Sequence, residues 1–194
     1  EVLEFVRTWS SYGFGSVLLF LAFGTILTLV LQSSSATMAI TLIMLSMGWI
    51  PFNMACAMVL GENIGTTITA NIAASIGNTQ AKRAALSHTI FNVFGVAWAL
   101  ALYNPFLNFV GVITENMFGL PNPAAEGFAV TDTGAEEGTA ALYGLSMLHT
   151  LFNTINTLLL IWFTGWISKA VSYITRTPEN QEKEVFRLKY ISAG

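Results

Sequence analysis

The sequence predicts an all-α membrane protein, and three observations carry that prediction. Charge is scarce, long uncharged runs are broken by two compact polar clusters, and the basic residues gather on one side of the predicted spans. Of 194 residues, 54% are apolar and 10% are charged, against about 25% charged in soluble domains. A soluble domain of this length needs a charged skin, which this composition cannot supply. Between Arg7 and Lys82 the one acid or base is Glu62, and between Arg83 and Glu115 there is none but His88. The net charge of −3 argues against nucleic acid, which calls for a basic stripe. The single cysteine, Cys56, rules out an internal disulfide or a cysteine metal cluster. In its apolar setting it reads as a small core residue. The chain starts at Glu1 without methionine or a signal-peptide pattern, so a fragment or processed product is expected.

Residues 1–15 are expected to form an interfacial segment, 16–163 the transmembrane body, and 164–194 an amphipathic and cytoplasmic tail. Residues 16–31 are apolar apart from small polar side chains, and 36–47 are apolar again after Gln32-Ser33-Ser34-Ser35. As helices these arms reach about 24 Å and 18 Å, short of a hydrocarbon core about 30 Å thick. Two short arms around a polar tip predict a re-entrant hairpin over 16–47. Residues 52–60 and 68–76 are apolar pieces flanking Gly61-Glu62-Asn63-Ile64-Gly65-Thr66-Thr67. They predict one broken helix over 51–76 with an unwound centre, lining a cavity or packed in protein.

Full spans are predicted over 84–103, ended by Asn104-Pro105, and over 141–163. Between them, 114–138 is rich in Gly, Pro and Thr and carries Glu115, Glu126, Asp132, Glu136 and Glu137 without Lys or Arg, which reads as a solvated acidic loop. After residue 163 the pattern turns amphipathic, with Trp166, Ile167, Val171 and Ile174 set against Lys169 and Arg176, and 178–194 is charged. Lys82 and Arg83 precede one span, whereas Lys169 and Arg176 follow the other. Both clusters therefore fall on one side and the acidic loop on the other. The positive-inside rule assigns the clusters, and the C-terminus, to the cytoplasm.

Two polar constellations carry the chemistry. Thr25, Thr28 and Gln32 on the first arm, and Ser34, Thr37 and Thr41 on the second, recur at helical spacing and make stripes that meet at the tip. Ser34 and Ser35 are good N-cap types for the second arm. A half-helix N-terminus offers free N–H groups and partial positive charge to an oxyanion. Alternatively such hydroxyls bond back to the helix or join neighbouring helices, the favoured reading for Thr25 and Thr41. In the second constellation, Gly61 and Gly65 permit unusual torsions, while Asn63, Thr66, Thr67 and Thr69 add hard oxygen donors around Glu62. Oxygen donors at half-helix ends suit an alkali cation. A short repeat, His88-Thr89-Ile90-Phe91-Asn92 and His149-Thr150-Leu151-Phe152-Asn153, recurs in the two spans, and Asn156 and Thr157 extend its face. Two neutral histidines are too few for a closed zinc site, so this repeat is assigned to helix packing.

Gln32-Ser33-Ser34-Ser35-Ala36-Thr37 and the 61–67 cluster resemble the paired signatures of the sodium/phosphate cotransporter family, and Ala81-Lys82-Arg83-Ala84-Ala85 with Phe91-Asn92 resembles the stretch that follows them in bacterial members. The resemblance implies one half of an inverted-repeat transporter, with the other repeat upstream or supplied by a second copy of the chain. It implies phosphate contacts at Gln32, Ser33, Ser34, Ser35 and Thr37. It implies sodium contacts at Gln32, Ser35, Glu62, Asn63, Thr66 and Thr67, although Glu62 stands where Ala is more usual. Residues 184–192 resemble the linker into the cytoplasmic helical domain of bacterial members. The expected function is sodium-coupled phosphate uptake across a bacterial inner membrane. Sodium would be the coupling ion, with no cofactor, no other metal and no enzymatic activity. The alternatives are another oxyanion or a dicarboxylate as substrate, or a non-transporting assembly module. An intramembrane hydrolase using a serine of 33–35 with His88 or His149 is disfavoured, because Ser34 lacks the G-x-S-x-G flanks.

Overall fold

The computed structural model describes residues 4, 8, 9, 12–131 and 134–175. The described residues form helices joined by turns and loops, with no strand. The order is α1 (Phe14–Leu31), α2 (Ser34–Ser46), α3 (Phe52–Ser75), α4 (Thr79–Ala101), α5 (Tyr103–Phe118), α6 (Ala135–Leu160), a 3-10 turn (Ile161–Phe163) and α7 (Thr164–Ile174). Three stretches are long and apolar enough to cross a membrane: Phe14–Leu31, Thr79–Ala101 and Ala135–Ile174. Large apolar side chains such as Val30, Ile72 and Trp162 point outward, as a lipid solvent permits. This is a membrane protein.

The hairpin forms where the polar tip interrupts the apolar run. α1 ends at Gln32, which adopts the left-handed conformation at φ 51°. Ser33 is then extended, and its Oγ accepts from the Ala36 N–H at 3.2 Å. The N-cap is therefore Ser33, one residue before the predicted Ser34 and Ser35, which become the first helical turn. α2 closes with the Trp49 N–H on Met44 O at 2.9 Å and the Gly48 N–H on Leu45 O at 3.0 Å. Gly48 at φ +65° takes the left-handed position of a Schellman cap.

The predicted unwound centre of 51–76 is absent. α3 runs unbroken for 24 residues through Gly61, Glu62, Asn63, Gly65, Thr66 and Thr67. The glycines serve close approach instead of unusual torsions. α1 packs along α3 more extensively than any other pair of helices. A Cβ at Gly24 would overlap the Met58 backbone, and one at Gly61 would overlap Leu21 O. At Gly65 it would stand 2.7 Å from Thr28 Cβ. Gly61 and Gly65, four apart, form the small-residue stripe that lets membrane helices touch backbone to backbone. Phe14 and Val17 lie beside Asn53 and Met54, and Thr28 lies against Gly65, so the two helices run parallel and α2 runs back antiparallel to both.

Further expectations change: α1, expected as an arm too short to span, begins two residues earlier, at Phe14, and is long and apolar enough to cross. The first span begins at Thr79, where Asn78 Oδ1 caps the Ala81 N–H at 2.9 Å, and ends at Ala101. Asn104-Pro105 does not lead into a loop but lies in the first turn of α5. Proline is tolerated there because first-turn N–H groups have no intrahelical acceptor. The acidic loop is correspondingly shorter than 114–138, since α5 extends to Phe118 and α6 begins at Ala135.

The core gathers Leu45, Phe52, 54–60, Val110, Leu145, Leu148 and Phe152. The basic clusters do share one end: the Arg83 side chain on α4 donates from Nε and Nη2 to Thr175 O, just after α7, at 3.2 and 3.1 Å. The loop after α5 lies at the opposite end, where a Cβ at Gly144 would meet Pro123 and Phe52 and one at Gly48 would press on Val130 O. Asp132, Arg176 and the charged tail fall outside the described residues.

Candidate functional site

The candidate site lies where the hairpin tip meets α3. Thr25 Oγ1 lies 2.9 Å from Leu21 O on its own helix and 2.9 Å from Gly61 O across the interface, sharing its one proton between the two carbonyls. Thr28, fully buried, places its Oγ1 2.8 Å from Gly24 O and 3.1 Å from Thr37 Oγ1 on the returning arm. Thr37 is buried as well and donates to Ser33 O at 3.2 Å. The predicted polar stripes thus meet inside the hairpin and tie it together.

At the tip, Gln32 and Ser35 are exposed, whereas Ser33 and Ser34 are half-buried. Ser33 Oγ and Ser35 Oγ lie 3.2 Å apart. The first-turn N–H groups of Ser34 and Ser35 point away from the helix, as the geometry of any helix start requires. The register of α1 on α3 sets the depth of this tip. With Leu21 beside Gly61 and Thr28 beside Gly65, Gln32 falls near the level of Thr69. α3 continues to Ser75, about 9 Å further, so the hairpin stops short of the end that α3 reaches.

On α3, Glu62 and Thr67 are buried, and Asn63 and Thr66 are half-buried. Because the helix is intact, their polar groups turn back on it. Asn63 Nδ2 donates to Val59 O at 2.9 Å, Thr66 Oγ1 to Glu62 O at 2.9 Å, and Thr67 Oγ1 to Ile64 O at 2.8 Å. The carbonyls that an unwound centre would have freed are engaged. Glu62 is the exception. It is 4% exposed, and its buried Oε2 finds no hydrogen-bond partner among the described residues, an expensive state for a carboxyl oxygen. No hydrogen bond joins Gln32, Ser33, Ser34 or Ser35 to Glu62, Asn63, Thr66 or Thr67 among the described residues. The structure brings the two predicted constellations onto neighbouring helices without fusing them into one ligand shell.

The histidine–asparagine repeat resolves into packing. Asn92 and Asn153 each bond back to the carbonyl of their own His88 and His149, at 3.1 and 2.8 Å. The residue that crosses is Asn156, whose Nδ2 donates to Phe91 O at 2.9 Å and whose Oδ1 accepts from Trp98 Nε1 at 3.3 Å. Another crossing was not read from the sequence. Asn71 Nδ2 reaches Thr89 Oγ1 at 2.6 Å as well as Thr67 O at 2.8 Å, and a helix-spaced polar pair, Thr67 and Asn71, was the available signal.

Comparison with known proteins supplies the family. The profile of the Na+/Pi-cotransporter family matches residues 6–121, which include the hairpin and α3. The "Uncharacterized protein YqeW" of Bacillus subtilis (strain 168) is 40% identical over 104 residues, covering 54% of this chain and 32% of that protein. The "Putative inorganic phosphate export protein YjbB" of Escherichia coli (strain K12) is 31% identical over 112 residues, covering 58% of this chain and 19% of that protein. "Sodium-dependent phosphate transport protein 2C" of Homo sapiens is 38% identical over 100 residues, covering 47% of this chain and 17% of that protein. The chain therefore matches a third or less of each relative's length. No solved structure matches it. On the strength of the family profile, the chain belongs to the Na+/Pi-cotransporter family.

Proposed function

We propose that the chain forms one repeat of a secondary transporter that moves inorganic phosphate coupled to sodium, with the hairpin tip as the phosphate contact. The observation that carries this reading is the placement of the α2 N-terminus. A capped helix start, with the Ser34 and Ser35 amides in its first turn, sits on a polar hairpin that stops short of the end of α3. Free amides, the positive end of a helix and the hydroxyls of Ser33, Ser34 and Ser35 suit a tetrahedral oxyanion. Gln32 supplies a further amide, and the buried Thr37 hydroxyl supports the tip from behind.

Sodium would be held by side-chain oxygens of Gln32, Ser35, Glu62, Asn63, Thr66 and Thr67, since the carbonyls of intact α3 are engaged. Glu62 favours a cation because its buried Oε2 has no partner among the described residues. Closing Gln32 and Ser35 onto α3 around the ion would complete the donors for phosphate, which couples the two solutes. The partner half would be an inverted repeat upstream or a second copy of the chain in a homodimer. The basic end of the bundle is assigned to the cytoplasm, in an inner membrane. The direction of flux follows the gradients: one relative is named for sodium-dependent transport and another for export.

The test is labelled phosphate flux into liposomes containing the 194-residue chain, with and without an inward sodium gradient. Sodium-dependent uptake lost in Ser34→Ala supports the assignment. Sodium-independent uptake, or uptake untouched by Ser34→Ala, refutes the coupling or the site respectively. Competition by sulfate and by dicarboxylates identifies the substrate class.

A further inference from the structure

Away from the hairpin, α4 and α7 face each other across a polar cleft. A cleft of about 500 Å³ opens there, lined from α4 by Gln80, Arg83, Ser87 and Phe91 and from α7 by Ile167, Ser168 and Ser172. Its polar components are concentrated around one fixed charge. The Arg83 guanidinium is held at the rim by Thr175 O, at 3.2 Å from Nε and 3.1 Å from Nη2, so the charge does not wander. A guanidinium carries five N–H donors in a planar fork suited to phosphate oxygens. Lys82 and Lys169, both exposed, stand on the same two helices, and neither α4 nor α7 carries an acidic residue. The α4 N-terminus adds its partial positive charge to this end.

The remaining features select the kind of anion. The cleft has an apolar side, formed by Phe91 and Ile167, beside its hydroxyls. It is also larger than a lone phosphate would fill. α7 turns Val171 inward, 2% exposed, yet leaves Trp166, Tyr173 and Ile174 at 77%, 75% and 65% exposure on its outer side. A short helix with exposed Trp and Tyr beside Lys, at the end of a span, has the composition of a segment lying in a membrane interface. An anion reaching this cleft from that interface would be a lipid headgroup.

We propose that the α4–α7 cleft binds an anionic glycerophospholipid. The phosphate sits on Arg83 with the hydroxyls of Ser87, Ser168 and Ser172, and the acyl chains run over Phe91 and Ile167 into the bilayer. The bound lipid clamps α7 to the start of α4.

Thermal unfolding of the full chain in detergent tests this, with dihexanoyl phosphatidylglycerol, dihexanoyl phosphatidylcholine and inorganic phosphate as separate probes. The expected result is a saturable rise in melting midpoint with phosphatidylglycerol and none with phosphatidylcholine. Inorganic phosphate should not compete. Arg83→Gln weakens the apparent affinity about fivefold, the share of one basic residue at an anionic surface. Because Arg83 also holds Thr175, a second variant, Ser168→Trp, fills the cleft from an exposed position and abolishes the shift without touching that contact. Ser34→Ala leaves the lipid response intact, which separates this site from the proposed transport site. Equal shifts with phosphatidylcholine, displacement by inorganic phosphate, or full response in Ser168→Trp each overturn the proposal.

Discussion

The sharpest consequence of the structure is that Gly61 and Gly65 are packing residues, and their substitution by alanine has a calculable cost. At Gly65 an added methyl stands 2.7 Å from Thr28 Cβ and 2.8 Å from Thr25 O, where unstrained carbon contacts need about 3.5–4.0 Å. α1 and α3 must then part by about 1 Å. That separation breaks the Thr25 Oγ1 bond to Gly61 O, now 2.9 Å. Overpacking costs about 1–3 kcal/mol, and an interhelical hydrogen bond in a membrane adds about 0.6 kcal/mol. Alanine returns about 1 kcal/mol through helix propensity. The net loss for Gly65→Ala is therefore roughly 0.6–2.6 kcal/mol. Gly61→Ala loses more, because its methyl meets Leu21 O, a backbone atom that cannot rotate away. Gly138→Ala is the control, since its methyl would find only Val130 Cγ1 at 3.9 Å. The assay is unfolding in mixed micelles under increasing denaturing detergent, followed by helical circular dichroism. If Gly61→Ala and Gly65→Ala unfold at the same point as Gly138→Ala, the close α1–α3 contact is wrong.

Three other outcomes are expected. Ser33→Ala removes the α2 cap and lowers stability by about 1 kcal/mol, whereas Ser33→Asn retains it; equal melting of the two variants would refute Ser33 as the cap. Asn156→Leu leaves Phe91 O and the Trp98 indole without their partner on α6 and costs about 1–2 kcal/mol in the same unfolding assay. Glu62→Gln keeps α3 folded but weakens the sodium dependence of phosphate flux about tenfold, the effect of losing one buried charge on a cation site; an unchanged sodium curve would remove Glu62 from the ion site.

The membrane class, the apolar spans of α4 and α6 and the break between α1 and α2 were legible from residues alone, because each depends on local composition. An uncharged apolar run has one suitable solvent, and Gln32 followed by serines can only interrupt a helix or cap the next one. The gathering of Lys82, Arg83 and Lys169 at one end was equally readable from the number and order of the spans. The state of residues 61–67 was not. Two glycines four apart among polar side chains fit an unwound cation site and a backbone-tight helix contact equally well, since glycine serves torsional freedom and close approach by the same missing Cβ. Only the position of α1, with Leu21, Thr25 and Thr28 pressed against Gly61 and Gly65, chose between them. The same holds for Asn156, whose crossing to Phe91 depended on which face of α6 met α4. Local sequence decides where helices start and stop, but the use of a small or polar residue within one is decided by the surface that comes to rest against it.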